Sequence, residues 1–288
     1  MKFQKYAVAY LDILGFSDFV EDAENCPDKL DALGRLFNEV IPREITAEGQ
    51  KYSKYPADFC LKCLSCSDSL VVSAPISDDS SYPALIAVSI KAIQIAHALL
   101  DMGFLVRGAL AVGNVYRTES NILGTGYQEA VKGERAAHYP QIVLTKSAKQ
   151  ELDRLISDPN CPRYAIFAKN ELGQVVLDSV YPHETYVPTT SASVGEYYGR
   201  YRNTIVQNLF HEDLPVMEKW LWFAGFFNAN IRSFGSMIGN SIAEIDAELP
   251  SITMNYLNPP ATDQRWLDDF RASGVRVILT EPNQARKP

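Results

Sequence analysis

The chain has 288 residues, 47% of them apolar and 22% charged, with 16 Gly and 16 Pro. Those are ordinary globular values, and they exclude a disordered, collagen-like or low-complexity chain. Lys and Arg number 27 against 35 Asp and Glu, a net charge of −8, which argues against a general nucleic-acid binder but not against a small phosphate ligand held by a local site or a metal.

The first residues carry Lys2 and Lys5 and then an apolar run interrupted by Asp12. Without a small-residue cleavage site, that start reads as a strand over 5–12 rather than a signal peptide. Residues 16–47 place Leu30, Leu33, Leu36, Phe37, Val40 and Ile41 on one helical stripe. Residues 58–74 read as two strands around a turn near Ser65–Asp68. Residues 83–101 read as a helix ended by Gly103, and 104–112 as a further strand. A polar glycine-containing loop is expected over 113–125, a helix over 126–137, a strand over 141–145 and a helix over 145–156. The stretches 163–168 and 174–178 read as edge strands. Hairpin-joined strands between helices point to an α+β, ferredoxin-like sheet with flanking helices. Residues 195–240 read as helical and aromatic, so the expected division is 1–185 for the sheet domain and 186–288 for a helical C-terminal extension and tail. No segment has 18 apolar residues without charge, so no membrane span is expected. Five cysteines without framework spacing fit a cytoplasmic protein.

Cys60, Cys63 and Cys66 have the spacing of metal thiolates, but a strand alternates faces, so 60 and 66 would face away from 63. Small apolar packing is the simpler reading. None of the four histidines has a Ser or Cys partner in a recognisable motif, and there is neither a GxxxxGK[ST] loop nor a dinucleotide fingerprint. The aspartates Asp12 and Asp68 are more telling. Asp12 ends an apolar strand and runs at once into a Gly15 turn and a helix start, a geometry that aims backbone N–H groups at a polyphosphate. If that strand neighbours the hairpin, Asp12 meets Asp68. Two adjacent carboxylates call for a divalent metal, or two of them about 3.5–4 Å apart. Arg107 follows an apolar run and either points into a site or lies on the sheet surface. The turn Gly124–Gly126 before a helix is a weak ligand signal.

Tyr10-Leu11-Asp12-Ile13-Leu14-Gly15-Phe16 resembles the first metal-binding motif of class III nucleotide cyclases. Ser65–Val72 is similar to their hairpin motif, with Ser67 in the place of glycine. Phe104–Gly113, containing Arg107-Gly108, looks like their following strand. The resemblance departs from purine cyclases in having Ala130 and Glu134 where those carry an Asn and a transition-state Arg, and Leu64 where they carry a purine-selecting Lys or Glu. With Tyr139-Pro140-Gln141-Ile142-Val143 it looks most like the pyrimidine (uridylate or cytidylate) cyclases of bacterial Pycsar antiphage systems. That resemblance implies a homodimer with composite active sites that converts UTP to 3′,5′-cyclic UMP and pyrophosphate, a second messenger for antiviral defence read by a separate effector. It implies two Mn²⁺ or Mg²⁺ ions held by Asp12, the Ile13 carbonyl and Asp68, with Asp12 and Asp68 catalytic. It also implies that the backbone of Leu14, Gly15 and Phe16 cradles the outer phosphates. Tyr10, on Asp12's face of the strand, either contacts the nucleotide or packs in the core, and Arg107 either meets a phosphate of the same or the partner subunit or lies on the surface. No residue is identified in the missing arginine's role, for which Lys132 and Arg135 are the candidates. The alternatives are a cytidylate or purine nucleotide cyclase, or a catalytically inactive nucleotide-binding module.

Overall fold

The computed structural model describes residues 2–41, 61–77, 83–158, 165–182, 194–238 and 242–257. Strand β1 (Gln4–Leu14) alternates in burial along its second half, with Ala7, Ala9, Leu11 and Ile13 wholly inside. That period-2 pattern is what makes it a strand with two different faces. It lies between β3 (Ser69–Pro75) and β4 (Leu105–Arg117), antiparallel to both. The hairpin partner β2 (Lys62–Cys66) pairs with β3 on the outside. The order β2-β3-β1-β4, with helices between β1 and β2 and helix α3 (Ala84–Asp101) between β3 and β4, is the expected ferredoxin-like arrangement.

The helical stripe after β1 is broken. Helix α1 (Phe16–Ala23) ends, and Pro27 opens α2 (Pro27–Arg35), which passes into a π-helical turn (Leu36–Val40). Proline fits the first position of a helix but not its interior, so the chain must restart there. Leu36 and Ile41 are buried as the stripe implies, whereas Leu30 is exposed. Residues 42–47 of that stripe lie outside the described residues. Helix α3 is apolar nearly all round and long enough to cross a membrane by length and composition, yet 83% of it is buried inside the protein. It is the central core helix, packed against the odd-numbered face of β1.

The opposite face of β1, with Tyr6, Val8 and Tyr10, packs against Ala130 and Tyr127 of helix α4 (Thr125–Ala136). The loop expected over 113–125 is instead mostly strand. β4 runs on to Arg117 and pairs with the short β5 (Ile122–Leu123). The glycines explain this. A Cβ on Gly113 would come within 2.7 Å of the Gly126 Cα, and one on Gly124 within 2.2 Å of the Asn114 carbonyl. The GxG turn therefore lets α4 start directly against β4.

Next come β6 (Ile142–Leu144), parallel to β4, and helix α5 (Lys146–Ser157), followed by β7 (Phe167–Lys169) and β8 (Val175–Leu177). Those last two strands are interior rather than edge. β8 lies between β6 and β7, and β7 is covered by β9 (Asn255–Tyr256). Their near-complete burial gave them the continuous apolar look that alternation rules cannot place.

Helices α6 (Val194–Asn208) and α7 (Leu214–Ile238) occupy the aromatic region and share the core formed with α3. A buried polar cluster fastens them to the sheet. The Asp178 carboxylate accepts from the Val180 N–H at 3.1 Å, Asn230 Nδ2 at 2.7 Å and the Tyr256 hydroxyl at 2.8 Å. The Tyr198 hydroxyl lies against Asn230 Oδ1 (2.8 Å) and the Val180 carbonyl. Burial pushes the Asp178 carboxyl up to about 7, against the three donors that favour its charged form.

Candidate active site

The site forms where β1 leaves the sheet. Asp12 is on the same face as Tyr10, two residues back. Across the ladder it stands opposite Ser69 on one side and Arg107 on the other. The turn of the β2–β3 hairpin is drawn to β1 by a backbone hydrogen bond from the Ile13 N–H to the Asp68 carbonyl, 2.9 Å. Asp12 and Asp68 therefore converge, as their sequence context implies, and Asp68's charge is felt at Asp12. Ser67, where the resemblance has glycine, adopts the left-handed conformation at φ 55°. A tight turn there demands that backbone, which glycine accepts without strain and serine does not.

Arg107 joins the two sides of the site. Its Nη2 donates to Asp12 Oδ2 at 3.0 Å, and its Nε donates to Glu134 Oε1 at 2.7 Å. Nη2 is also 2.6 Å from that Glu134 oxygen. Exposure is graded across the set. The Arg107 side chain is 25% exposed, Asp12 19% and Glu134 6%. Burial raises the affinity of Asp12 for its proton; Arg107 opposes this, Asp68 adds to it, and Arg107's hydrogen bond and Lys219 oppose it. Three carboxylates and one guanidinium leave two negative charges in excess when all are ionised.

Tyr10 sits where apolar packing and the charged cluster meet. Its ring meets Tyr127 edge-on, centroids 6.1 Å apart, and its hydroxyl lies 2.7 Å from Ser69 Oγ. Ser69 Oγ is in turn 3.4 Å from Asp68 Oδ1. Leu64 joins the same apolar cluster with Tyr127 and Ala130. Ala130 is fully buried against the sheet. Lys132 and Arg135 are exposed, and neither pairs with Asp12, Asp68 or Glu134 among the described residues.

Gly15 follows with φ 76° and caps α1, whose first turn has no side-chain cap. The backbone N–H groups that begin α1 are thus left for another acceptor. Asp18 lies in that turn as well. Cys63 is half-buried and Cys66 exposed, both free thiols, while Cys60 lies outside the described residues. No group of three His, Cys, Asp or Glu side chains is arranged to hold a metal among the described residues. The donor set at β1 suits a hard divalent cation nonetheless. It offers oxygen ligands only, from two converging carboxylates, in a cluster whose negative excess Arg107 does not cancel.

Two groups that sequence spacing did not assign to the site belong to its surroundings. Glu134 lies 27 residues from Arg107, too far apart for any local pattern to pair them. Lys219, on α7, exerts its charge on Asp12. An open hollow of about 610 Å³ lies elsewhere, between α7 and residues 244–254, lined by Gly225, Asn228, Arg232 and Glu244 among others. None of the β1 acids lines it.

No family model matches the chain, and no curated protein matches it. Among solved structures, the catalytic core of a rhodopsin-guanylyl cyclase with converted specificity, in complex with ATPαS, aligns at a TM-score of 0.36 and 12% identity, covering 61% of this chain and 96% of that one. The guanylyl cyclase Cya2 aligns at a TM-score of 0.35 and 10% identity, covering 61% and 91%.

Proposed function

We propose that the chain is a nucleotide cyclase acting on a nucleoside triphosphate, with UTP favoured and 3′,5′-cyclic UMP and pyrophosphate as products. The observation that carries this is the convergence of Asp12 and Asp68 at the end of β1, in the motif context of class III cyclases, beside an uncapped helix start. Asp12, Asp68 and the Ile13 carbonyl would hold two Mn²⁺ or Mg²⁺ ions, which when bound supply charge neutralisation and activation of the ribose 3′-hydroxyl. The backbone of Leu14, Gly15 and Phe16 receives the outer phosphates. Arg107, held between Asp12 and Glu134, fixes the direction of the Asp12 carboxylate and presents its remaining N–H donors to phosphate. The reaction is mainly positioning and charge stabilisation.

The pyrimidine preference rests on what lines the face beside Asp12. Leu64, Tyr10, Tyr127 and Ala130 are apolar or aromatic, with no charged group at the position that selects purines in the resembled enzymes. On this reading residues 1–185 carry the catalytic domain and 186–288 a helical extension. The enzyme works as a homodimer with composite sites, and its product serves a separate effector in defence against phage. The test is incubation of the purified protein with Mn²⁺ and each of the four nucleoside triphosphates in turn, with products identified by mass. Cyclic UMP with pyrophosphate supports the reading. Cyclic AMP or GMP refutes the pyrimidine preference, and no product from any of the four favours a nucleotide-binding module.

A further inference from the structure

The C-terminal helix α7 comes to the acidic cluster by a route independent of charge. The Gly108 N–H, next to Arg107, donates to the Gln141 carbonyl at 3.0 Å. That bond fixes the segment between α4 and β6 beside the site. Two residues earlier, the Tyr139 ring stacks on Trp222 of α7, centroids 5.2 Å apart and planes within 5°. Trp222 stacks in turn on Phe226 of its own helix at 5.7 Å. These contacts turn the Trp222 face of α7 toward the segment that follows α4, the helix whose Glu134 grips Arg107. Lys219 lies three residues before Trp222, on that same face. It is partly buried and makes no ion pair among the described residues. Lys219 is thus a cation whose charge reaches Asp12 and that no acid among the described residues has claimed.

We propose that Lys219 is the side chain that holds the triphosphate tail of the substrate over the Asp12–Arg107–Glu134 cluster, so that the C-terminal helix completes the active site of its own chain. This rests on the reading of the chain as an enzyme that uses a nucleoside triphosphate. In the cyclisation, the 3′-oxygen forms a bond to the α-phosphorus and its proton passes to water. The bond from the α-phosphorus to the bridging oxygen breaks, and its electron pair leaves with pyrophosphate. Negative charge grows on that leaving oxygen, beside a lysine that is a compact point charge with three donors. A lysine suits a tail of several rotating phosphates, whereas Arg107, clamped on both sides by carboxylates, cannot follow it. Stacked aromatics hold the helix, so the cation is delivered on a rigid element.

The test measures binding of 3′-deoxy-UTP, which lacks the attacking hydroxyl, and of 3′-deoxy-UMP, by calorimetry with Mn²⁺ in wild type, Lys219→Met and Lys219→Arg. Loss of a charge-assisted contact weakens 3′-deoxy-UTP binding by about ten- to a hundredfold in Lys219→Met. The monophosphate is bound equally by wild type and Lys219→Met, and Lys219→Arg keeps most of the triphosphate affinity. Equal triphosphate binding by wild type and Lys219→Met overturns the proposal. So does a loss that falls equally on both ligands and accompanies a lowered melting temperature, which marks a structural lysine. If wild type binds none of the four 3′-deoxynucleoside triphosphates, the cyclase reading itself fails and the role of Lys219 falls with it.

Discussion

Arg107 is the point at which the stability of the site can be measured apart from its chemistry. Arg107→Met keeps an aliphatic stem of similar length and removes the guanidinium. Two carboxylates then lose their partner. Glu134 is almost wholly enclosed and Asp12 mostly so. Breaking a fully buried pair from one side costs about 3–5 kcal/mol. Arg107 is a quarter exposed, and water relieves part of the loss, so about 2–4 kcal/mol is expected. For a protein of this size that corresponds to a melting temperature lower by roughly 5–15 °C. Removing the second charge should give much of this back. Arg107→Met with Glu134→Gln leaves only the better-solvated Asp12 unpaired, so the double variant is expected to be more stable than Arg107→Met alone. The assay is urea unfolding of the four-member cycle in EDTA, which keeps metal binding out of the comparison. Asp12 should also hold its proton to higher pH in Arg107→Met, since Arg107 is the main influence opposing its burial. The loss in that variant should therefore be larger at pH 8 than at pH 5. Additive single effects, or a loss below 0.5 kcal/mol in Arg107→Met, would refute the bridging role.

The other predictions are simpler. Asp178 binds its proton up to about pH 7 when folded and only to about 3.8 when unfolded, so the folded state carries the extra proton in that window and stability falls as pH rises through it. The wild-type-minus-Asp178→Asn difference in urea unfolding should shrink with rising pH, by up to about 4 kcal/mol between pH 4 and 7. His97 acts in the opposite sense. Its buried ring, 3.0 Å from the Tyr201 hydroxyl, titrates at about 4 rather than 6.5, so it takes away stability as pH falls from 6.5 to 4, and His97→Gln should lack that component in the same assay. Gly113→Ala drives a methyl to 2.7 Å from the Gly126 Cα, and thermal unfolding should record a loss of about 1–3 kcal/mol. Added Mn²⁺ should raise the melting temperature of wild type and leave that of Asp68→Asn unchanged, because a cation that binds only the folded site stabilises it by mass action.

Much of the arrangement around Asp12 was legible because β1 and the hairpin are short-range patterns. Alternation along β1 assigns Asp12 and Tyr10 to one face, and the turn residues Ser67 and Asp68 place the hairpin end. The break at Pro27 was also written in the chain, although the apolar stripe over it suggested a single helix. What was not legible depends on contacts between distant segments. Gly113 looked like the start of a loop because its partner, Gly126, lies across a helix–strand contact that composition does not reveal. The strands β7 and β8 looked peripheral because the strand that covers β7 arrives from residues 255–256. Glu134 was read by position as the site of a missing arginine, whereas its carboxylate anchors an arginine on β4. The approach of α7 was hidden for another reason. Trp220, Trp222, Phe223, Phe226 and Phe227 share one broad side of that helix, so no periodicity singles out Trp222 as the residue that stacks on Tyr139.

The central claim is that Asp12 and Asp68 act together on one nucleoside triphosphate. Its most direct measurement compares cyclic UMP formation from UTP by wild type, Asp12→Asn and Asp68→Asn, each shown by circular dichroism to keep its fold. The expected result is turnover in wild type and a loss of more than about a hundredfold in either variant, as follows when a group that stabilises the transition state is removed. Wild-type turnover in a folded Asp12→Asn or Asp68→Asn protein would contradict the account.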